Sequence, residues 1–148
     1  MPTISRSALV AHSALKMFNL VNDVEHYPER FDWCEGVDVS LSTPERKVAK
    51  LQLTMAGFKT WFETDNTLHP PHDIEMKFVD GPFKSLNGKW TFHALDESAC
   101  KVNFQLDFEP KVSLLATPMS LGLQALADRM VDDFVRKADH VNTDAVEE

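Results

Sequence analysis

Between residues 46 and 111 apolar and polar side chains alternate with a period of two. In "CKVNFQLDFE" the set Val102, Phe104, Leu106 and Phe108 alternates with Lys101, Asn103, Gln105, Asp107 and Glu109, which predicts a strand buried on one face. The same rhythm runs through Leu51, Leu53 and Met55, through Ile74, Met76 and Phe78, and through Leu86, Gly88, Trp90 and Phe92. A further strand over 58–68 puts Thr60, Thr64 and Asn66 on the face shared with Phe58 and Phe62. The short turn-rich connections "TPER" and "DESA" predict antiparallel hairpins. Gly88 falls on the inward face, which predicts a bulge or a close backbone approach that bends the sheet.

The two ends of the chain follow a helical period instead. In "SALKMFNLVNDV" Leu15, Phe18, Leu20 and Val21 recur at helical spacing behind Ser13, a suitable cap. Pro28 marks a second short helix, and "YPERFDWCEG" compresses Tyr27, Phe31, Trp33 and Cys34 into a segment that closes one end of the fold. From Leu114 to Val141 the positions Leu115, Met119, Leu123, Leu126, Met130, Phe134 and Ala138 keep three-and-four spacing, with Asp128, Asp132, Asp133, Arg136 and Lys137 opposite. A long helix crossing the sheet follows. Its first half, "LLATPMSLGLQALA", is uncharged and apolar nearly all round, which suits either a fully buried start or a ligand- or membrane-facing patch. Pro118 and Gly122 weaken that half and predict a place where the helix opens. The predicted architecture is α+β: a curved antiparallel sheet of about seven strands around a long C-terminal helix, with two short helices after the first strand.

Length and charge narrow the function. At 148 residues with 43% hydrophobic side chains, residues 1–148 fit one domain with one core. A formal charge of −8 argues against DNA or generic nucleic-acid binding, so any RNA contact needs a local basic patch. Residues 1–45 and 112–148 are acidic, whereas residues 46–111 balance nine Lys or Arg with nine acids. Cys34 and Cys100 are too few for a disulfide framework and match no zinc spacing, which fits a reducing cytosol. No apolar run reaches the ~18 residues of a membrane span, leaving at most peripheral membrane contact.

The inward strand positions named above hold no Asp, Glu, His or Lys, so no general acid or base and no catalytic residue is assigned. Thr60, Thr64 and Asn66 supply hydroxyl and amide groups that either orient a ring carbonyl or bond neighbouring backbone. Cys34 lacks a partner base and reads as a structural thiol. His69 and His72 in "LHPPHD" lack the further ligands of a metal site, and His26 stands alone beside Tyr27. The candidate ligand-binding residues are Tyr27, Phe31, Trp33, Leu53, Met55, Phe62, Phe78, Phe83, Trp90, Phe104, Leu115, Met119, Leu123 and Leu126. Phe83 follows the turn Gly81–Pro82 and is expected either to fold back as a gate, at the cavity mouth or against Phe31 and Trp33, or to stand out as a partner anchor. Lys50, Lys59, Lys77, Lys89 and Lys101 point outward with Trp61 and make either a solvated strand face or a cationic, aromatic surface for RNA.

Several stretches carry a family likeness: "ISRSALV" (4–10), "LVNDVEHYP" (20–28), "STPE" (42–45), "VDGPFKSLNGKW" (79–90) and "LDFE" (106–109). With this element order the chain resembles the START-like helix-grip superfamily of polyketide cyclases and coenzyme-Q-binding proteins, and within it the ribosome association toxin family RatA. Arg30 and Asp32 stand where that family usually has Phe and Pro. The resemblance implies two non-catalytic roles: holding a polyprenyl quinone such as ubiquinone, or another lipid, in support of respiration, and binding the large ribosomal subunit to block subunit association, with an antitoxin as a further partner. It also implies a third, enzymatic possibility, since some START-like relatives close aromatic rings. No cofactor is required by the binding roles.

Overall fold

A computed structural model of the chain describes residues 3–55, 57–112 and 116–140, without the side chains of residues 55, 116, 117 and 119. Leu114, Leu115 and Val141 of the expected helix lie outside the described residues, as do the side chains of Met55 and Met119. The elements run β1 (Thr3–Val10), α1 (Ala14–Asn22), a single 3₁₀ turn (Val24–His26), α2 (Tyr27–Arg30), β2 (Cys34–Ser42), β3 (Arg46–Met55), β4 (Phe58–His69), β5 (Asp73–Asp80), β6 (Phe83–Asp96), β7 (Ala99–Pro110) and α3 (Ala116–Ala138). The strands form one antiparallel sheet in the order β1-β7-β6-β5-β4-β3-β2, and α3 packs across it against α1, β1, β3 and β7. This is the helix-grip architecture that the alternation and the final helical period predict.

Local chemistry sets the boundaries. Ser13 accepts from the Lys16 amide at 3.0 Å and caps α1, whose Met17, Phe18, Leu20 and Val21 are buried. The β2–β3 turn is tied by Thr43, whose hydroxyl accepts from the amides of Glu45 and Arg46. Register shifts in β2, between Glu63 and Thr64, and at both ends of β6 mark the bulges that curve the sheet. Gly88 sits between Met76 and Leu106 in the ladder, and a Cβ there would meet Met76 Sδ at 3.2 Å and Leu106 Cδ1 at 3.3 Å. Its role is to let two neighbouring side chains close over the strand.

The first half of α3 differs from the expected hinge. The helix is continuous from Ala116, and Pro118 occupies its first turn, where no backbone donor is needed. Gly122 is explained by contact: a Cβ would lie 2.5 Å from Cγ of Phe58 on β4. Alanine is the better helix former by about 1 kcal/mol, yet the overlap outweighs that gain. Gly122→Ala is therefore expected to lower stability by about 1 kcal/mol, and a urea titration in which its midpoint rises would show that Phe58 swings aside freely.

Candidate ligand-binding cavity

Under α3 the concave face of the sheet leaves a cavity of about 50 Å³. Ala49, Leu51 and Leu53 of β3, Phe62, Thr64 and Asn66 of β4, and Ile74 and Met76 of β5 line one side. Trp90, Phe104 and Leu106 continue the wall, Leu123, Leu126, Ala127 and Met130 of α3 cover it, and Val21, Asn22, Val24 and Tyr27 close the end. This is the alternation made solid: Leu51 pairs with Phe62, Ala49 with Thr64 and Ile74 with Trp90, so cross-strand partners share the inner face.

Of the candidate ligand residues, Tyr27, Leu53, Phe62, Trp90, Phe104, Leu123 and Leu126 meet in this lining. Phe31 and Trp33 lie behind it, stacked at 4.8 Å and packed with Tyr27 around Phe134 of α3. Phe78 and Phe83 form another cluster, in which Phe83 meets the rings of Phe62, Phe78 and Phe108 at 6.2–6.3 Å. Phe83 is 1% exposed, so it is no surface anchor, and its cluster is separate from Phe31 and Trp33. Phe62, which lines the cavity, links it to the Phe83 cluster. The turn before Phe83 requires glycine, because Gly81 has φ of 145° and a Cβ would meet the Trp61 carbonyl at 3.0 Å.

Polar groups concentrate at the end formed by α1. Thr64 donates to Asn66 Oδ1 at 2.8 Å, and Tyr27, buried and bonded to the Val21 carbonyl, has its pKa pushed well up by burial. Lys47 is buried on the inner face, two positions before Ala49, and its ammonium donates to the Asn22 carbonyl at 2.8 Å and to Glu25 at 2.9 Å. This inward cation escapes a reading that starts the β3 alternation at Leu51. Extending the period back through Ala49 finds it.

The aromatic segment is fixed by charge. Trp33 Nε1 donates to the buried Asp133 carboxylate at 2.9 Å, which also takes Arg129 at 3.1 Å and Arg136. Arg129 in turn grips Asp32 with bonds of 2.9 and 3.0 Å, while Arg30 lies 3.0 Å from Asp23. The two polar residues that interrupt the aromatic segment thus find partners, and Asp32 pins that segment to α3.

Among the described residues the lining holds no carboxylate, imidazole, amine or thiol, its one ionisable side chain being the Tyr27 phenol, and Cys34 and Cys100 are buried thiols pushed up to about 11 by desolvation, too high for a thiolate at neutral pH. Among the described residues no three His, Cys, Asp or Glu side chains converge as metal ligands. His69 bonds Asp73 and His26 bonds Asp23, each at 2.7 Å on the surface. No helix among the described residues is long and apolar enough to cross a membrane.

On the outer face Lys59, Lys77, Lys89 and Lys101 are exposed. Lys50 lies over the Trp61 ring at 4.6 Å. Glu35 is 3.4 Å from Lys59 and Glu75 is 3.7 Å from Lys89, so the cations are interleaved with acids.

Comparison with known proteins follows the same lines. The profile of the polyketide cyclase / dehydrase and lipid transport family matches residues 10–135. The ribosome association toxin RatA of Vibrio cholerae serotype O1 is 43% identical over 141 residues, covering 95% of this chain and 98% of that one. A mitochondrial coenzyme Q-binding protein of Drosophila melanogaster is 24% identical, over 90% of this chain and 57% of its own. Among solved structures, the Zhui aromatase/cyclase of Streptomyces superposes with a TM-score of 0.84 at 16% identity, covering 93% of each chain, a likeness of fold. The chain belongs to the polyketide cyclase / dehydrase and lipid transport family and, within it, to the RatA branch.

Proposed function

We propose that the chain is a non-catalytic binding protein that holds a neutral amphiphile, a polyprenyl quinone or a comparable lipid, beneath α3 in support of respiration. The observation that carries this reading is the lining itself: apolar and aromatic on the walls, amide and hydroxyl at one end, with no group able to transfer a proton near neutral pH. The name of the Drosophila relative supports the ligand class. The one ionisable side chain of the lining, Tyr27, is held to the Val21 carbonyl with its pKa pushed well up by burial, which weighs against a ring-closing enzyme.

The cavity of about 50 Å³ is smaller than the ~150 Å³ void that admits benzene. Loading therefore requires α3 to move away from β3 and β4, with the Gly122–Phe58 contact as the place of separation. The working location is the cytosol, with peripheral contact at the membrane where such a ligand resides. Native mass spectrometry of protein purified from its own cytosol is expected to show a lipid adduct that organic extraction removes. A bare polypeptide mass before extraction, together with no uptake of a short-chain quinone, would sink the reading.

A second reading follows the name of the Vibrio relative, a ribosome association toxin, together with the family likeness in the sequence, which implies binding to the large ribosomal subunit and an antitoxin as a further partner. The exposed lysines and the Lys50–Trp61 pair supply cations and an aromatic plane for RNA on the outer face. The two readings use opposite sides of the sheet. One protein can carry both.

A further inference from the structure

We infer that the cavity selects its ligand by a hydroxyl group, taking a quinol or other phenol in preference to the corresponding quinone. The inference rests on the ligand-binding reading above and concerns the polar end alone. Asn22 closes that end, and its Oδ1 is buried with no hydrogen-bond partner. Native proteins rarely leave a buried acceptor unpaired, because the lost water is not replaced. Because Asn22 belongs to the cavity lining, a ligand entering at that end can bring the missing donor to this atom.

Asn66 supplies the complementary half. Its Oδ1 is taken by the Thr64 hydroxyl at 2.8 Å, so the group it has left to offer is its NH₂. Asn22 and Asn66 lie at the same end: Lys47 faces Asn66 across the β3–β4 ladder, and the Lys47 ammonium reaches the Asn22 carbonyl at 2.8 Å. The Lys47 ammonium also bonds Glu25, so its charge is already countered by a carboxylate and does not call for an anionic headgroup.

A hydroxyl answers both amides at once. Its O–H donates to Asn22 Oδ1 while its oxygen accepts from Asn66 Nδ2. A quinone oxygen only accepts: it satisfies Asn66 and brings no donor to Asn22 Oδ1. The apolar walls treat the two rings alike, so the difference between them is carried by that one bond.

Anaerobic calorimetric titration with a short-chain ubiquinone analogue and its quinol tests this. The quinol is expected to bind about tenfold more tightly, and Asn22→Leu to bring the ratio to about one. Far-ultraviolet circular dichroism of the variant reports whether it folds, and if it does not, the wild-type ratio decides. Equal affinities in the wild type, or an undiminished preference in folded Asn22→Leu, overturn the inference and leave the cavity reading standing. Uptake of neither form sinks both.

Discussion

Phe134→Ala is expected to lower stability by about 3–5 kcal/mol. Phe134 is 2% exposed and meets the rings of Phe31 at 5.0 Å, Tyr27 at 5.4 Å, Trp90 at 5.4 Å and Trp33 at 5.9 Å. It thus joins α3, the aromatic segment and the sheet in one aromatic cluster, meeting Phe31, Trp33 and Trp90 edge to face, and such ring pairs add to what burial alone provides. The surrounding rings are rigid and held from three directions, so the void left by alanine cannot collapse. Phe104→Ala is the informative contrast. That ring is also buried and packs on Trp90 at 4.4 Å, but it borders the existing cavity and has fewer contacts to lose there. Its expected loss is smaller, below the ~3–5 kcal/mol of a fully packed phenylalanine. Urea titrations of both variants check the order, and equal losses would show that the cavity is filled core.

The strands and the long helix were legible because burial imposes a period on the sequence. Val102, Phe104, Leu106 and Phe108 are all buried, as the alternation requires. Half of the candidate ligand residues meet around the cavity for the same reason: a strand with one buried face must aim every second side chain at α3. Phe31, Trp33 and Phe83 gather elsewhere, because hydrophobicity says that a ring is buried without saying against what. Phe31 and Trp33 are drawn behind the lining by the Trp33–Asp133 bond and by Phe134, contacts that bring together residues about 100 positions apart. Lys47 shows the opposite limit. A lysine at the start of a strand reads as solvated, and only the carbonyl of Asn22 and the carboxylate of Glu25 make its burial tolerable. Gly122 reads as a flaw in a helix until the Phe58 ring is placed against it.

Reversing charge on the outer face is expected to separate the two proposed roles. The triple change Lys59→Glu, Lys77→Glu and Lys89→Glu should abolish co-sedimentation with large ribosomal subunits while leaving quinone binding at its wild-type level. All three side chains are exposed on strands that turn their other face to the cavity, so no lining contact changes. Their present partners do not hold them back. Glu35 and Glu75 sit 3.4 and 3.7 Å from Lys59 and Lys89 on a surface open to water, where such pairs are weak and an incoming phosphate competes with them readily. If the lysines do meet RNA, each neutralised phosphate releases counterions, so wild-type affinity falls steeply with salt, by a logarithmic slope of about 0.7–0.9 per phosphate. Losing three contacts flattens that slope by roughly 2–3. Far-ultraviolet circular dichroism should be unchanged, because the substitutions touch no buried group. Co-sedimentation of the triple variant at the wild-type level across a salt series would remove the outer face from the ribosome reading. The next surface to test would be the groove beside Phe31 where Arg30, Arg129, Arg136 and Lys137 gather with Asp32 and Asp133.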